Sequence, residues 1–288
     1  MSARISLITL THNKLECTRL CLSSWLATRG VRWELVVVDN GSTDGTCEWL
    51  EDYARSATAG GVPVKTIRNP GNIGCSTARN QGAEQASGEL LVFLDNDTAL
   101  RQRDWLARLA AVLEADPGAA MVGPKLVYPW APHRIQCAGA AVSPAGRVQF
   151  MGRGEQRDDP QFNVRREVQC LISACCMVRR TAFAAAHGFD SAFNPVEYED
   201  IDLCYRIRSR GHRILYEPSA ELYHFESVTT AGTRALPNTY LIVKHGLLFK
   251  QRWRHLFEQE NGPPDEATRW RKVEARPFQT IGTPPVVD

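Results

Sequence analysis

Along the first hundred residues, short apolar runs alternate with longer stretches whose apolar positions recur at helical spacing. Ile5 to Leu10 reads as a strand, and Leu15 to Ala27 as a helix with Leu15, Leu22, Trp25 and Leu26 on one side. Leu35-Val36-Val37-Val38 is a buried strand, Thr43 to Tyr53 a helix, Val64 to Ile67 a strand, Ser76 to Ala86 a helix and Leu90 to Leu94 a strand again. Continuously apolar strands separated by helices imply an α/β chain with a parallel sheet covered on both faces. Such sheets bind ligands at the carboxyl ends of their strands. Polar clusters fall there: Thr11-His12-Asn13, Asp39-Asn40-Gly41-Ser42 and Asp95-Asn96-Asp97.

The pattern then changes. Trp105 to Glu114 predicts a helix, Met121 to Tyr128 a strand, the Gly- and Pro-punctuated region to about Val168 hairpins and loops, and Cys170 to Val178 a strand. From Val196 to Arg210, acidic residues precede a helical pattern with Ile201, Leu203, Cys204 and Ile207 apolar. Two short strand-like pieces follow, Arg213 to Tyr216 and Glu221 to Phe225, then a helical stretch from Asn238 to Phe257 rich in Lys, Arg, His and Trp. The tail from Glu258 carries Pro263, Pro264, Pro277, Pro284 and Pro285 and is expected to be extended or mobile. The chain thus divides into residues 1–100, a mixed half over 101–257 of the same domain, and the tail 258–288.

Composition narrows the classes. A chain of 288 residues with a formal net charge of +2 has no polyelectrolyte character, so nucleic acid is not expected as a partner. Nine scattered cysteines, two of them the adjacent Cys175-Cys176, fit reduced thiols in a cytosol better than a disulfide framework. No secretory h-region follows Met1, and no apolar run is long enough for a membrane span, so a cytoplasmic location is expected. Neither GxxxxGK[ST] nor GxGxxG occurs, which disfavours P-loop phosphoryl transfer and hydride transfer from NAD.

The Asp95-Asn96-Asp97 spacing carries the first chemical signal. Strand-end Asp residues often cap a turn or are simply solvated. At a sheet's ligand edge, however, two carboxylates this close suit a hard divalent cation that takes phosphate oxygens and water as further ligands. The stretch Gly71-Asn72-Ile73-Gly74-Cys75-Ser76-Thr77-Ala78-Arg79-Asn80 adds small residues and an Arg at a helix start, where an anion can be received. An ordinary turn would use the same glycines.

Five segments, "ISLITLTHN", "ELVVVDNGSTDGT", "NPGNIGCSTARNQG", "LLVFLDND" and "EYEDIDLCYRIRSRGHRILYEPSAELYHFES", together resemble a family 2 glycosyltransferase of the GT-A fold, similar to bacterial rhamnosyltransferase-like enzymes. The similarity covers roughly residues 4–230. It implies a Rossmann-like, mostly parallel central sheet flanked by helices, with a nucleotide-sugar-binding half over 1–100 and an acceptor-binding, catalytic half over 101–257. It further implies nucleotide-sugar contacts from Thr11, Asn13, Asp39, Gly41, Gly74, Arg79, Asp95 and Asn96. Asp97, with His224 and Asp95, would hold Mn2+ or Mg2+; Asp200 would be the general base, and Glu199 would contact the acceptor. The partners implied are a nucleotide-diphosphate sugar and a glycan, lipid-linked or other hydroxyl acceptor, with inversion and a place in polysaccharide or glycoconjugate assembly. His12 stands where the family often has an aromatic residue. Gln251-Arg252-Trp253 matches the processive-synthase QxxRW motif only superficially, so transfer of one sugar is expected.

Bland readings stand beside these. Asp200 fits a first-turn acid favoured by the helix dipole, His224 a satisfied buried histidine, and Asp202 an i,i+4 surface pair with Arg206. A sugar-1-phosphate nucleotidyltransferase would share an acidic metal site, but its Gly-rich loop with Arg and Lys after the first strand is absent here, where Thr11-His12-Asn13-Lys14 stands. A non-catalytic nucleotide-sugar or glycan-binding protein would not need all four of Asp95, Asp97, Asp200 and His224. Residues 238–257 read either as a helix packed on the body or as a peripheral contact with the inner face of a membrane, and a homodimer is left open.

Overall fold

The computed structural model describes residues 4–226, 238–267, 273 and 276–288. In chain order the elements are β1 (Ile5–Thr11), α1 (Leu15–Trp25), β2 (Trp33–Asp39), α2 (Thr46–Ala59), β3 (Val64–Arg68), α3 (Cys75–Gln85), β4 (Leu90–Leu94), β5 (Thr98–Leu100), α4 (Trp105–Ala115), β6 (Ala119–Val127), β7 (Ile135–Cys137), β8 (Ala140–Val142), β9 (Val148–Phe150), β10 (Arg166–Glu167), β11 (Cys175–Arg179), α5 (Arg180–Ala185), α6 (Glu199–Arg208), β12 (Arg213–His224) and α7 (Asn238–Trp253).

One sheet organises them, in the order β10-β12-β6-β11-β4-β1-β2-β3, with β5 on β12 and β7 on β6; β8 and β9 form a separate hairpin. The β4-β1-β2-β3 side is parallel throughout. Its strands are apolar on both faces because both are covered. Leu7, Val37 and Val92 join Trp25, Leu50 and Leu109 on one side, while Ile8, Val36, Leu91 and Phe93 join Ala83, Phe183 and Leu203 on the other. Strand β3 lies at the edge and exposes Lys65 and Arg68, charges that oppose edge-to-edge pairing. Beyond β4 the direction changes: β11 runs antiparallel to both β4 and β6, and β12 parallel to β6. The strand order reverses between β1 and β4, and in sheets of this kind ligands are received at the carboxyl ends of the strands beside such a switch, here β1, β2 and β4.

Several boundaries differ from the sequence reading for identifiable reasons. Helix α2 starts at Thr46 rather than Thr43, because Gly45 adopts φ 91° and the Asp44 carboxylate accepts from Thr46 N and Leu15 N. Residues 170–174 do not extend β11. Cys170 makes a single bridge to Ala140, Leu171 N donates to Cys204 Sγ, and the segment turns toward α6. The two short pieces expected over 213–225 are one strand, β12, interrupted between Glu217 and Glu221. Asp202 pairs with Arg206 as expected, but inside the protein. Fully buried, it also accepts from Trp253 Nε1 (2.9 Å) and Arg252 Nη1 (2.8 Å), which pins α7 to α6. In the tail, expected to be extended or mobile, Val287 N donates to Arg101 O, Pro285 O accepts from Tyr223 Oη, and Phe278 packs on Phe225.

Candidate active site

Strand β4 ends in a carboxylate that the sheet cannot bury. Asp95 N donates to Ala174 O, and the turn that follows brings Asp97 against the end of β12, where Phe225 N donates to Asp97 O. His224 closes the group: its Nε2 lies 3.2 Å from Asp97 Oδ1. One ligand atom from each of Asp95, Asp97 and His224 falls within 4.8 Å of the others. Asn96, between the two acids, turns away and donates from Nδ2 to Thr18 Oγ1 (2.9 Å), anchoring the turn to α1.

The electrostatics of this cluster are those of a site short of positive charge. Burial, together with neighbouring Asp97, raises the Asp95 carboxyl against the lowering effects of Arg79 and His224. Burial alone would lower His224, but Asp97 outweighs it and raises the imidazole. Two carboxylates and an imidazole form a donor set that suits Mn2+ as well as Mg2+, and three ligands leave the coordination of either ion incomplete.

Arg79 on α3 is the hinge of the arrangement. Its Nη2 donates to Asp95 Oδ1 (2.7 Å) and its Nη1 to Glu199 Oε1 (2.6 Å), with the guanidinium 5.4 Å from the Phe189 ring centroid. Both Arg79 and Glu199 are buried. Next to Glu199, the half-buried Asp200 accepts from Ser173 N (2.9 Å) at one oxygen and from Ile201 N (2.8 Å) at the other. Burial, then the Glu199 charge, pushes Asp200 up to about 7 despite these bonds. Ser173 and Ala174, adjacent in the chain, therefore hold Asp200 and Asp95 in one site. Glu197 (φ 84°) and Tyr198 (φ 69°) enter α6 through two successive left-handed residues, a turn non-glycine residues rarely adopt.

The loops after β1 and β2 form the other wall. Thr11 Oγ1 donates to Asp39 Oδ2 (2.8 Å), while Asp39 Oδ1 accepts from Gly41 N, Ser42 N and Cys47 Sγ. Burial works to raise Asp39, but bonds from Ser42, Cys47 and Thr11 prevail and hold it low. Asn13 Oδ1 accepts from Thr43 N, joining the two loops. Gly41 has φ 81° and sits so close to Gly71 that a Cβ would lie 2.5 Å from Gly71 Cα. Gly74 packs equally tightly on Asn194. The open helix start expected there is already capped: Cys75 N donates to Pro195 O and Ser76 N to Asn194 Oδ1.

Sequence reasoning missed the support behind His224. Gln136 Oε1 lies 3.3 Å from His224 Nδ1, and Gln136 Nε2 donates to Glu226, which also accepts from Tyr128 Oη and from both Arg153 Nη atoms. A glutamine between Ile135 and Cys137 in a three-residue strand carries no periodic signal. Asn194 was equally illegible, capping a helix 118 residues earlier in the chain.

Residues 6–185 match the family described as glycosyl transferase family 2. The y4gI protein of Sinorhizobium fredii is 31% identical over 231 residues, covering 78% of this chain and 25% of that one. The O-antigen biosynthesis protein RfbC of Myxococcus xanthus is 31% identical over 236 residues, covering 78% of this chain and 18% of that one. The chain thus spans a quarter or less of both relatives. An N-acetylglucosaminyl-diphospho-decaprenol L-rhamnosyltransferase of Mycobacterium tuberculosis is 28% identical over 230 residues, covering 73% of this chain and 71% of its own length. Among solved structures, GalNAc-T7 with UDP, GalNAc and Mn2+ superposes with a TM-score of 0.69 at 18% identity, covering 87% of this chain and 48% of that chain. A mannosyltransferase of Pyrobaculum calidifontis in complex with GDP-Man and Mn2+ gives a TM-score of 0.58 at 19% identity, covering 90% and 71%.

Proposed function

The chain belongs to glycosyl transferase family 2 and has the GT-A fold, and on that premise we propose that it moves one sugar, with inversion, from a nucleotide-diphosphate sugar to an acceptor hydroxyl in polysaccharide or glycoconjugate assembly. The observation that carries this reading is the bridge Asp95–Arg79–Glu199, which ties the acidic cation cluster to the carboxylate pair at the start of α6. Names of relatives and neighbours lend support: a rhamnosyltransferase, and structures holding UDP or GDP-Man with Mn2+.

Asp97, His224 and Asp95 would hold Mn2+ or Mg2+, which when bound supplies positive charge to the departing diphosphate. Asp200 takes the proton of the incoming hydroxyl at a carboxylate oxygen. A group pushed up to about 7 is matched to that task near neutral pH. Direct attack by the hydroxyl inverts the anomeric carbon in a single displacement. Glu199 spends one oxygen on Arg79 and lies against the Cys75 thiol, so its part toward the acceptor is to position the carboxylate pair at the start of α6. Arg79 acts on the donor side through Asp95, holding that carboxylate toward the cation cluster. On the nucleotide side, Thr11, Asn13, Asp39, Gly41 and Gly74 fix the loops that wall the donor, and Asn96 fixes the turn that spaces Asp95 from Asp97. The nine free cysteines support a cytoplasmic setting.

The test is incubation with UDP-, dTDP- and GDP-sugars and candidate acceptors in Mn2+. The expected result is release of nucleoside diphosphate and a product of inverted anomeric configuration. Release of pyrophosphate would instead indicate nucleotidyl transfer, and binding without turnover a carrier.

A further inference from the structure

Helix α7 has two unlike sides. Leu241, His245, Phe249 and Trp253 point inward and are buried, whereas Tyr240, Val243 and Leu247, at i, i+3 and i+7 on the opposite side, are 56%, 57% and 64% exposed. Exposed large apolar side chains are few among the described residues, and this helix concentrates them. Lys244 and Lys250, both exposed, flank the stripe, and the exposed Arg254 follows just past its end. Residues 238–257 contain no Asp or Glu, and none of these three cations pairs with a described carboxylate. No described helix is long and apolar enough to cross a membrane.

We propose that this outer side of α7 seats the protein on an anionic lipid surface, with Tyr240, Val243 and Leu247 entering the headgroup boundary and Lys244, Lys250 and Arg254 facing lipid phosphates. An apolar stripe bordered by Lys244, Lys250 and Arg254, on a segment with no acidic residue, is complementary to that surface. The inner side of the same helix grips the segment that presents the carboxylate pair. His245 Nδ1 donates to Val196 O (2.8 Å), Tyr198 packs against Phe249 (5.6 Å between centroids), and Arg252 with Trp253 holds Asp202. Seating α7 thus brings the acceptor end of the site to the membrane, an orientation that suits a lipid-borne acceptor. This last step rests on the proposed role of Asp200 and Glu199; the lipid contact itself does not.

The test is co-sedimentation of the full chain with phosphatidylcholine vesicles, with and without phosphatidylglycerol, at low and high salt. Binding is expected only with the anionic lipid, and weakened by salt. Lys244→Glu with Lys250→Glu is expected to lower partitioning at least tenfold, a single cation near such a surface being worth roughly fivefold. Val243→Ser with Leu247→Ser should also release the protein. All four positions are exposed, so circular dichroism and the thermal shift given by nucleoside diphosphate with Mn2+ should match the parent. Equal binding to both vesicle types, no binding at low salt, or unchanged binding by the variants overturns the proposal. So does a concentration-dependent dimer in sedimentation velocity that the Val243/Leu247 variant dissociates, which would make the face a contact between two copies. Loss of nucleotide binding by the parent protein would count against the enzymatic reading and leave the vesicle result standing.

Discussion

Asp200→Asn separates the cost of the proposed base from its use. The carboxyl rises from 3.8 to about 7 on folding, chiefly through burial and the neighbouring Glu199 charge. At about 1.4 kcal/mol per unit, that shift is at most about 4 kcal/mol of destabilisation at high pH. The sign follows from a raised carboxyl: the penalty is absent below pH 3.8, grows as pH rises to about 7, and is constant beyond. Asparagine removes the charge but presents only one oxygen to the two donors, Ser173 N and Ile201 N, at a cost of about 1 kcal/mol. The variant should therefore match or fall slightly below the parent in stability at pH 4 and exceed it by up to about 3 kcal/mol at pH 8. Turnover at saturating donor should fall on the order of 10² to 10⁴, with little change in donor affinity. Urea unfolding at the two pH values, alongside initial rates, reads both quantities. A variant that is less stable at pH 8 than at pH 4 relative to the parent, or that retains near-normal turnover, refutes the reasoning.

Arg79→Met should strand Asp95 and Glu199 and cost about 3–5 kcal/mol in thermal or chemical unfolding, part of which Glu199→Gln in the same chain should restore. Gln136→Leu removes the acceptor facing His224 Nδ1 and should weaken Mn2+ binding about 10- to 100-fold, read by the electron paramagnetic resonance of free Mn2+; unchanged affinity would deny Gln136 a role in orienting the imidazole. In the parent enzyme, kcat should rise with pH through about 7 as Asp200 ionises, and the residual activity of Asp200→Asn should lack that limb.

What was legible in the sequence follows from where physics is local. Strands β1, β2 and β4 announce themselves because a sheet buried on both faces needs unbroken apolar runs, and the polar residues that end those runs mark the ligand edge. Asp95 and Asp97 stood out because they follow such a run directly, whereas Asp200, at the start of α6, read on pattern alone as a first-turn acid and took its proposed role only from the resemblance. His224 required the resemblance, since one histidine at a strand end has no pattern of its own. The rest depended on contacts distant in sequence. Asp202 looked like a surface partner of Arg206 until α7 arrived to bury it, and Arg79 looked free for an anion until Glu199, 120 residues later, took half of its guanidinium. The apolar run at 170–174 mimics a strand because its partners, Cys204 and Asp200, lie on a helix.

The central claim, a nucleotide diphosphate held through a cation at Asp95, Asp97 and His224, is tested most directly by calorimetric titration. UDP, dTDP and GDP are each titrated into the protein in Mn2+ and in excess EDTA, with the parent chain and with Asp97→Asn. The account expects one of these nucleotides to bind the parent in Mn2+ and to lose that binding both in EDTA and in the variant. Equal affinity with and without metal, or an unimpaired Asp97→Asn, would contradict it.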